Sequence, residues 1–288
     1  MKPFTTRNKK HLSFITGLPL IVLNDIFDNP NNYFTPFTEP KLDKNGVQKV
    51  YSDGTIAKRS LNKVNPSLKR AQKNLLQNLF YKNDINVESM VLGGRKGTSN
   101  ILCAKWHQGN KYKLKIDLRN FFDYCTCAMV KEALHNELNL SQYLSNLIAK
   151  LTTVKGKLPQ GAPTSPFLAI LIFLPIDREL TLFCNSRNIK YSRYIDDLVF
   201  SGPYNFCDDI SIILDKVRSF GFQLSHRKIE FNPRIEVNGV LVNNNSISPP
   251  AHIQNRFDLD IQSRKKSAIS NYVSRINRAS IEKFGKVL

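Results

Sequence analysis

An α+β fold is what this sequence predicts. Three kinds of segment alternate along it: short alternating stretches, amphipathic stretches of helical period, and one almost wholly apolar stretch. In the first kind, Lys111–Leu118 (KYKLKIDL) sets Leu114 and Ile116 on one face and Lys113, Lys115 and Asp117 on the other, as a half-buried strand requires. In the second, Pro66–Phe80 (PSLKRAQKNLLQNLF) places Leu68, Leu75, Leu76, Leu79 and Phe80 near helical spacing, with Lys69, Arg70 and Lys73 between them. The third, FLAILIFLPIDREL after Pro166, is too apolar for a surface helix and too short for a membrane, which predicts a helix packed under a sheet.

The remaining elements follow in order. Leu18–Leu23 is an apolar run behind Lys2, Arg7, Lys9 and Lys10, but Gly17 and Pro19 interrupt it and Asn24 and Asp25 follow directly. It therefore reads as a short core-docking helix or strand and not as a signal peptide. Residues 28–66 carry turn signals at Asp28-Asn29-Pro30, Lys44-Asn45-Gly46 and Asp53-Gly54, which predict hairpins with a basic face. Strands are expected at Tyr191–Ser201 and Ile235–Val242, with a helix over Asp208–Phe220 between them. Two basic helices are expected over Ile253–Phe284.

The chain has 288 residues, 41% of them hydrophobic, enough for a sizeable core in one multi-lobed unit. Forty-two Lys and Arg against 23 Asp and Glu leave +19, with a pI near 9.8. Such an excess points to a polyanionic partner, nucleic acid first, because neutralising phosphates releases condensed counterions. Five cysteines without a CxxC pair or neighbouring histidines speak against zinc and for a reducing, cytoplasmic setting. No apolar run reaches membrane-spanning length, so no membrane partner is expected.

The chemistry gathers on three aspartates. Asp196 and Asp197 sit between apolar flanks in YSRYIDDLVF, where unpaired buried charge is expensive and a metal ion would remove the cost. Successive strand residues point to opposite faces, so both can serve one site only if a tight turn falls there; Asp196 is ranked first of the two. Asp117 ends its own strand and could stand opposite them if the strands are neighbours. Such hard oxygen ligands suit Mg²⁺, and two ions about 3.5–4 Å apart support in-line phosphoryl transfer, as in polymerases and nucleases. Adjacency of two aspartates is weak evidence by itself, since Asp208-Asp209 is explained by the start of a helix.

The motifs together resemble a reverse transcriptase, and within that family the retron type of bacteria. The resemblance covers roughly residues 58–245. It rests on Asp117 with Phe122, Leu158-Pro159-Gln160-Gly161-Ala162-Pro163-Thr164-Ser165-Pro166, and Tyr194-Ile195-Asp196-Asp197, in that order. Weaker support comes from Gly221-Phe222-Gln223-Leu224 with Lys228, Val237-Asn238-Gly239, Pro66-Ser67-Leu68-Lys69, Gly93–Ser99 and Cys103–His107. The retron pattern has Asn at 103, Thr at 238 and usually Ala at 195, where this chain has Cys, Asn and Ile.

The resemblance implies a right-hand polymerase architecture: an N-terminal region and fingers over 1–110, a palm of antiparallel sheet backed by helices over 111–245 with a fingers insertion at about 128–157, and a short basic helical thumb over 246–288. It implies that Asp117, Asp196, Asp197 and the Leu118 carbonyl hold two Mg²⁺ ions. Phe122 would exclude a 2′-hydroxyl and select dNTPs, Gln160 and Gly161 would position nucleotide or template, and Lys228 and Arg59 would meet the triphosphate. Trp106, His107, Tyr194, Asn238, Gly239, Arg264, Lys265 and Lys266 would contact nucleic acid, although for Trp106 a place in the core is the competing reading. The implied partners are a structured noncoding RNA template, its DNA product and an effector protein in phage defence. A metal-dependent nuclease would need neither an aromatic sugar gate nor the Gln-Gly loop, and a non-catalytic RNA-binding relative would have lost an aspartate. Another bacterial defence-type reverse transcriptase is the nearer alternative.

Overall fold

The computed structural model describes residues 8–43, 46–83, 91–95, 97–263 and 267–281. In chain order the elements are α1 (Lys9–Thr16), α2 (Leu20–Asp28), β1 (Phe34–Pro40), β2 (Lys58–Val64), α3 (Pro66–Asn78), α4 (Asn100–Trp106), β3 (Tyr112–Asp117), α5 (Phe121–Tyr124), α6 (Cys127–Leu138), α7 (Gln142–Thr152) and α8 (Ser165–Asn185). Then follow β4 (Lys190–Tyr194), β5 (Asp197–Gly202), α9 (Ile210–Ser219), β6 (Glu230–Asn232), β7 (Ile235–Val237), β8 (Val240–Val242), β9 (Ile247–Ser248), α10 (Ala251–Gln262) and α11 (Ala268–Ile281). The chain divides into two compact units, Met1–Val87 with Phe122–Phe173, and Glu88–Phe121 with Leu174–Leu288. The mixture is the α+β class the sequence predicts.

In the first unit α1 and α2 pack on α3 and α7. Helix α3 starts as its sequence dictates: Asn65 caps it by accepting from the Ser67 N–H, and Pro66 occupies the first turn, where a missing N–H costs nothing. Its predicted apolar stripe is buried through Leu68, Leu75 and Leu76, each fully buried Leu contributing about 1.5–3 kcal/mol. The predicted hairpin region forms the antiparallel pair β1–β2, with Glu39 opposite Arg59. Leu18–Leu23 is largely helical, through α2. The apolar stretch after Pro166 lies in α8, which is helical through Pro175 and crosses the boundary between the units.

In the second unit a four-stranded antiparallel sheet has the order β4-β5-β3-β6. A three-stranded sheet, β7-β8-β9, packs with α4 and α11 around Leu102, Val199, Val237, Val240 and Ile276. Two single strands expected from the sequence are in fact hairpins, β4–β5 and β7–β8, each reversing through two residues. Their apolar flanks conceal the reversals, because residues on both sides of each turn are buried. Lys113 also departs from expectation: its side chain is fully buried, and its ammonium donates to the Asn110 and Pro233 carbonyls at 2.6 and 2.7 Å. Burial lowers its pKa to about 8. Asp209 does stand at the start of α9, yet it makes no side-chain cap and instead accepts from Arg187 Nε at 2.8 Å.

Candidate active site

Asp117 is the last residue of β3, and its register partner is Asp197, the first residue of β5. Asp196 occupies the turn between β4 and β5, across which Tyr194 pairs with Asp197. The tight turn that two adjacent carboxylates need in order to share a site is therefore present. Its first residue, Ile195, has φ +61°, while Asp196 keeps a negative φ. That combination suits Gly in a two-residue hairpin, and a β-branched side chain there costs on the order of 1–3 kcal/mol.

Surrounding contacts hold the turn in this conformation. The Leu118 N–H donates to the Asp196 carbonyl at 3.0 Å, so an edge of the Leu118 peptide faces the turn. Arg193 Nη1 donates to the Ile195 carbonyl at 3.0 Å. The same guanidinium makes a two-pronged bond to Asp177, Nε to Oδ1 at 2.8 Å and Nη2 to Oδ2 at 2.6 Å, and both side chains are fully buried. On another side the backbone of Gly93 lies so close that an added Cβ would stand 2.4 Å from the Ile195 nitrogen. Only glycine fits there.

The electrostatics follow from this crowding. Burial, then the neighbouring Asp197 and Asp117, push the Asp196 carboxyl up to about 6. Burial also raises Asp197, opposed by Lys115, whose ammonium lies 3.6 Å from Asp197 Oδ1 and donates to the Glu236 carbonyl. Lys228 Nζ sits 2.7 Å from Asp117 Oδ1. Three hard-oxygen donors that repel one another fit a divalent cation, which would relieve the repulsion. Among the described residues, however, no three His, Cys, Asp or Glu side chains form a ready metal cage. The carboxylates are a ligand set partly neutralised by lysines.

The other predicted residues divide among distinct settings. Tyr194 is partly buried and packs, with Tyr272, against the core of the second unit. Asn238 and Gly239, at φ +49° and +80°, form the Asn-Gly turn of β7–β8. Asn100 donates to the Asn238 carbonyl and the Tyr272 hydroxyl to the Gly239 carbonyl, while Asn238 Nδ2 donates to Cys103 Sγ at 3.7 Å. His107 is corrected: it is fully buried, with Nε2 on Ser192 Oγ and Nδ1 on Ser201 Oγ, and burial lowers its pKa to about 3, so it faces no nucleic acid. Trp106 is half-buried with the Lys190 ammonium 5.0 Å from its ring centre. That leaves less of the ring for a base than the sequence suggests. Arg264, Lys265 and Lys266 lie outside the described residues.

In the first unit the Asn62 N–H of β2 donates to the Gln160 carbonyl at 3.0 Å. Gly161 has φ +99°, a backbone conformation that favours glycine, and lies against the Asn62 carbonyl. Arg59 is exposed on the same strand. Phe122 is half-buried and belongs to this unit, whereas Phe121 belongs to the second, where it is buried against Phe222. Sequence reasoning gave no role to Lys115, Arg193 or Asp177, and noted Gly93 only as part of a motif. The signal available was an Arg within a strand pattern and an Asp just after the longest apolar stretch, opposite charges that burial obliges to find each other.

An antiparallel sheet whose strand ends bring three aspartates together offers the oxygen ligands that metal-assisted phosphoryl transfer needs. The family model described as "Reverse transcriptase (RNA-dependent DNA polymerase)" matches residues 49–242, and the chain belongs to that family as an RNA-directed DNA polymerase. It is similar to the Retron Ec83 reverse transcriptase of Escherichia coli, 31% identical over 214 residues, 67% of each chain. It is also similar to the Retron Ec86 reverse transcriptase of E. coli, 34% identical over 143 residues (50% of this chain, 44% of the relative), and to the Retron Mx162 reverse transcriptase of Myxococcus xanthus, 32% identical over 163 residues (50% and 33%). The retron-type resemblance thus stands on similarity over half to two thirds of the chain as well as on motifs.

Proposed function

We propose that this chain copies a structured noncoding RNA into DNA as a retron-type reverse transcriptase, with Asp117, Asp196 and Asp197 as its catalytic carboxylates. The observation that carries the catalytic reading is the register of Asp117 opposite Asp197 with Asp196 in the adjoining turn. The three carboxylates and the Leu118 carbonyl would hold two Mg²⁺ ions, which when bound supply activation of the primer 3′-oxygen and charge stabilisation at the leaving pyrophosphate. Lys228, close to Asp117, is positioned to meet that pyrophosphate and donate a proton. Lys115 keeps Asp197 turned toward its partner.

The wider reading extends these roles. Fingers over 1–110, with an insertion at about 128–157, present Arg59 to the dNTP, Gln160 and Gly161 just beyond that insertion position nucleotide or template, and Phe122 rejects the ribose 2′-hydroxyl. The palm over 111–245 offers Tyr194, Asn238 and Gly239 to the primer, and the thumb over 246–288, including Arg264, Lys265 and Lys266, tracks the duplex backbone. With +19 of net charge, the chain has the electrostatics to hold RNA tightly. The product would be multicopy single-stranded DNA joined to RNA, made in the cytoplasm and acting with an effector protein in antiphage defence.

Two experiments test this. Asp196→Ala is expected to retain RNA binding and lose Mg²⁺-dependent dNTP incorporation; undiminished incorporation sinks the catalytic assignment. Nucleic acid copurified with the chain, digested separately by RNase and DNase, should prove to be covalently joined RNA and DNA. RNA alone leaves the polymerase subtype open, and no nucleic acid favours a general binder.

A further inference from the structure

We propose that the buried Asp177–Arg193 pair is a positioning device for the catalytic turn: it pins the peptide between Ile195 and Asp196 and so sets where Asp196 stands against the Asp117–Asp197 pair. This rests on the reading of Asp196 as a catalytic carboxylate.

Stability does not account for the pair. Burying two charges is costly, and replacing a buried ion pair by apolar side chains of similar volume is often neutral or stabilising, so stability is a weak reason for its presence. Fold specificity is served already by the β4–β5 ladder and the Leu92 N–H to Arg193 carbonyl bond. What only a guanidinium supplies is its rigid planar fork. Two of its nitrogens are fixed on the two oxygens of Asp177, and Asp177 is itself held by the Tyr191 hydroxyl at 2.7 Å. The direction of the remaining terminal nitrogen is thereby set, and that nitrogen donates to the Ile195 carbonyl at 3.0 Å.

The carbonyl it holds belongs to the residue that would otherwise relax. Ile195 sits at φ +61°, where a β-branched side chain persists only if its surroundings over-determine it. Gly93 blocks movement on one side, and the Leu118 N–H to Asp196 carbonyl bond fixes the far end of the turn. Arg193 closes the set by fixing the peptide plane between the two turn residues. Rotation of that plane would swing the Asp196 nitrogen and, with it, the carboxylate that must meet Asp117 and Asp197. Arg193 and Asp177 are not catalytic residues, since they act through Ile195.

The test uses the full chain and primer extension with separate kcat and KM for dNTP. Arg193→Lys keeps the charge for Asp177 but cannot hold two oxygens and the Ile195 carbonyl in one plane. It is expected to lower kcat about 100-fold, the scale of a 1 Å misplacement, with KM for dNTP and RNA affinity within about two-fold. Adding Ile195→Gly, which adopts the positive φ without a prop, should restore at least ten-fold of that loss; a residue needed only for folding would show no such rescue. If Arg193→Lys does not fold, Asp177→Leu/Arg193→Met replaces it, expected to melt at or above the wild-type temperature while losing kcat to a similar extent. A wild-type kcat in either folded variant overturns the proposal, as does a loss of kcat that Ile195→Gly leaves untouched. Asp196→Ala separates the two layers: if it is inactive while Arg193→Lys is fully active, the positioning device fails and the catalytic reading stands, whereas an active Asp196→Ala removes the reading itself.

Discussion

Replacing Asp196 with Asn in the metal-free protein removes a negative charge while nearly preserving shape, which isolates the electrostatic strain of the site. Burial and the adjacent Asp197 raise this carboxyl from 3.8 to about 6. At 1.36 kcal/mol per pKa unit this is a penalty of roughly 3 kcal/mol on the charged form. The side chain is partly exposed, so solvent screening reduces the usable figure to about 1–2 kcal/mol. Because the folded state keeps its proton to a higher pH than the unfolded state does, this group takes stability away as pH rises from about 4 to about 6, and the loss is complete above that window.

Asp196→Asn is therefore expected to be more stable than wild type at pH 7.5 and nearly equal to it at pH 4.5. For a chain of this size about 2 °C of melting temperature corresponds to 1 kcal/mol, so the gain is about 2–4 °C. The assay is thermal denaturation of both proteins in chelator across that pH range. Millimolar Mg²⁺ should then raise the wild-type melting temperature and leave the variant almost unmoved, closing the gap. A variant less stable than wild type at pH 7.5, or a gap independent of pH, would refute the idea that the three carboxylates repel one another in the folded protein.

Three further outcomes follow from the same geometry. Gly93→Ala brings a methyl within 2.4 Å of the Ile195 backbone and should destabilise the fold by about 1–3 kcal/mol while depressing kcat; a melting temperature within 1 °C of wild type would mean that the backbone yields freely. His107→Ala should cost about 2–4 kcal/mol by leaving a cavity and taking one hydrogen-bond partner from each of two buried serine hydroxyls, with RNA affinity in the folded protein unchanged. Its wild-type ring, held neutral down to about pH 3, favours the unfolded state as pH falls below about 6.5, so the variant should lose less stability on acidification; weaker RNA binding without destabilisation would restore His107 to the nucleic-acid surface. Phe122→Ala should admit ribonucleotides, as read from the ratio of dNTP to rNTP incorporation, and an unchanged ratio would place the sugar gate elsewhere.

The parts of the fold that were legible share one property: local pattern and tertiary environment agree. Helix α3 combines a cap, a first-turn proline and a clean apolar stripe, and β3 alternates except at the buried Lys113. The hairpin at Asp196 was harder because Tyr191–Ser201 contains neither Gly nor Asn to mark a reversal, and Ile195 is among the residues least suited to one. The need for a turn could be inferred only from chemistry, since two adjacent carboxylates serving one site require it. His107 misled for the opposite reason. A histidine beside a tryptophan in a basic chain resembles a base-binding pair, and nothing local reveals that Ser192 and Ser201 wait for its two nitrogens.

The three departures from the retron pattern acquire a physical sense when they are placed in the fold. Cys103 and Asn238 touch each other, so the amide that the pattern carries on the helix side of this contact is carried here by the hairpin turn, facing a thiol. Asn at 238 also suits the positive φ of an Asn-Gly turn better than Thr, whose branched β-carbon resists it. The third departure, Ile195, is the strained residue, and the space its side chain fills lies against Gly93, where an added Cβ would stand 2.7 Å from Ile195 Cγ1. The same Cβ would stand 2.4 Å from the Ile195 nitrogen, so the turn backbone alone requires glycine at 93, whatever side chain stands at 195. Two of the changes compensate each other across one contact. These are adjustments around the two hairpin turns that the polymerase reading depends on, and none removes a carboxylate.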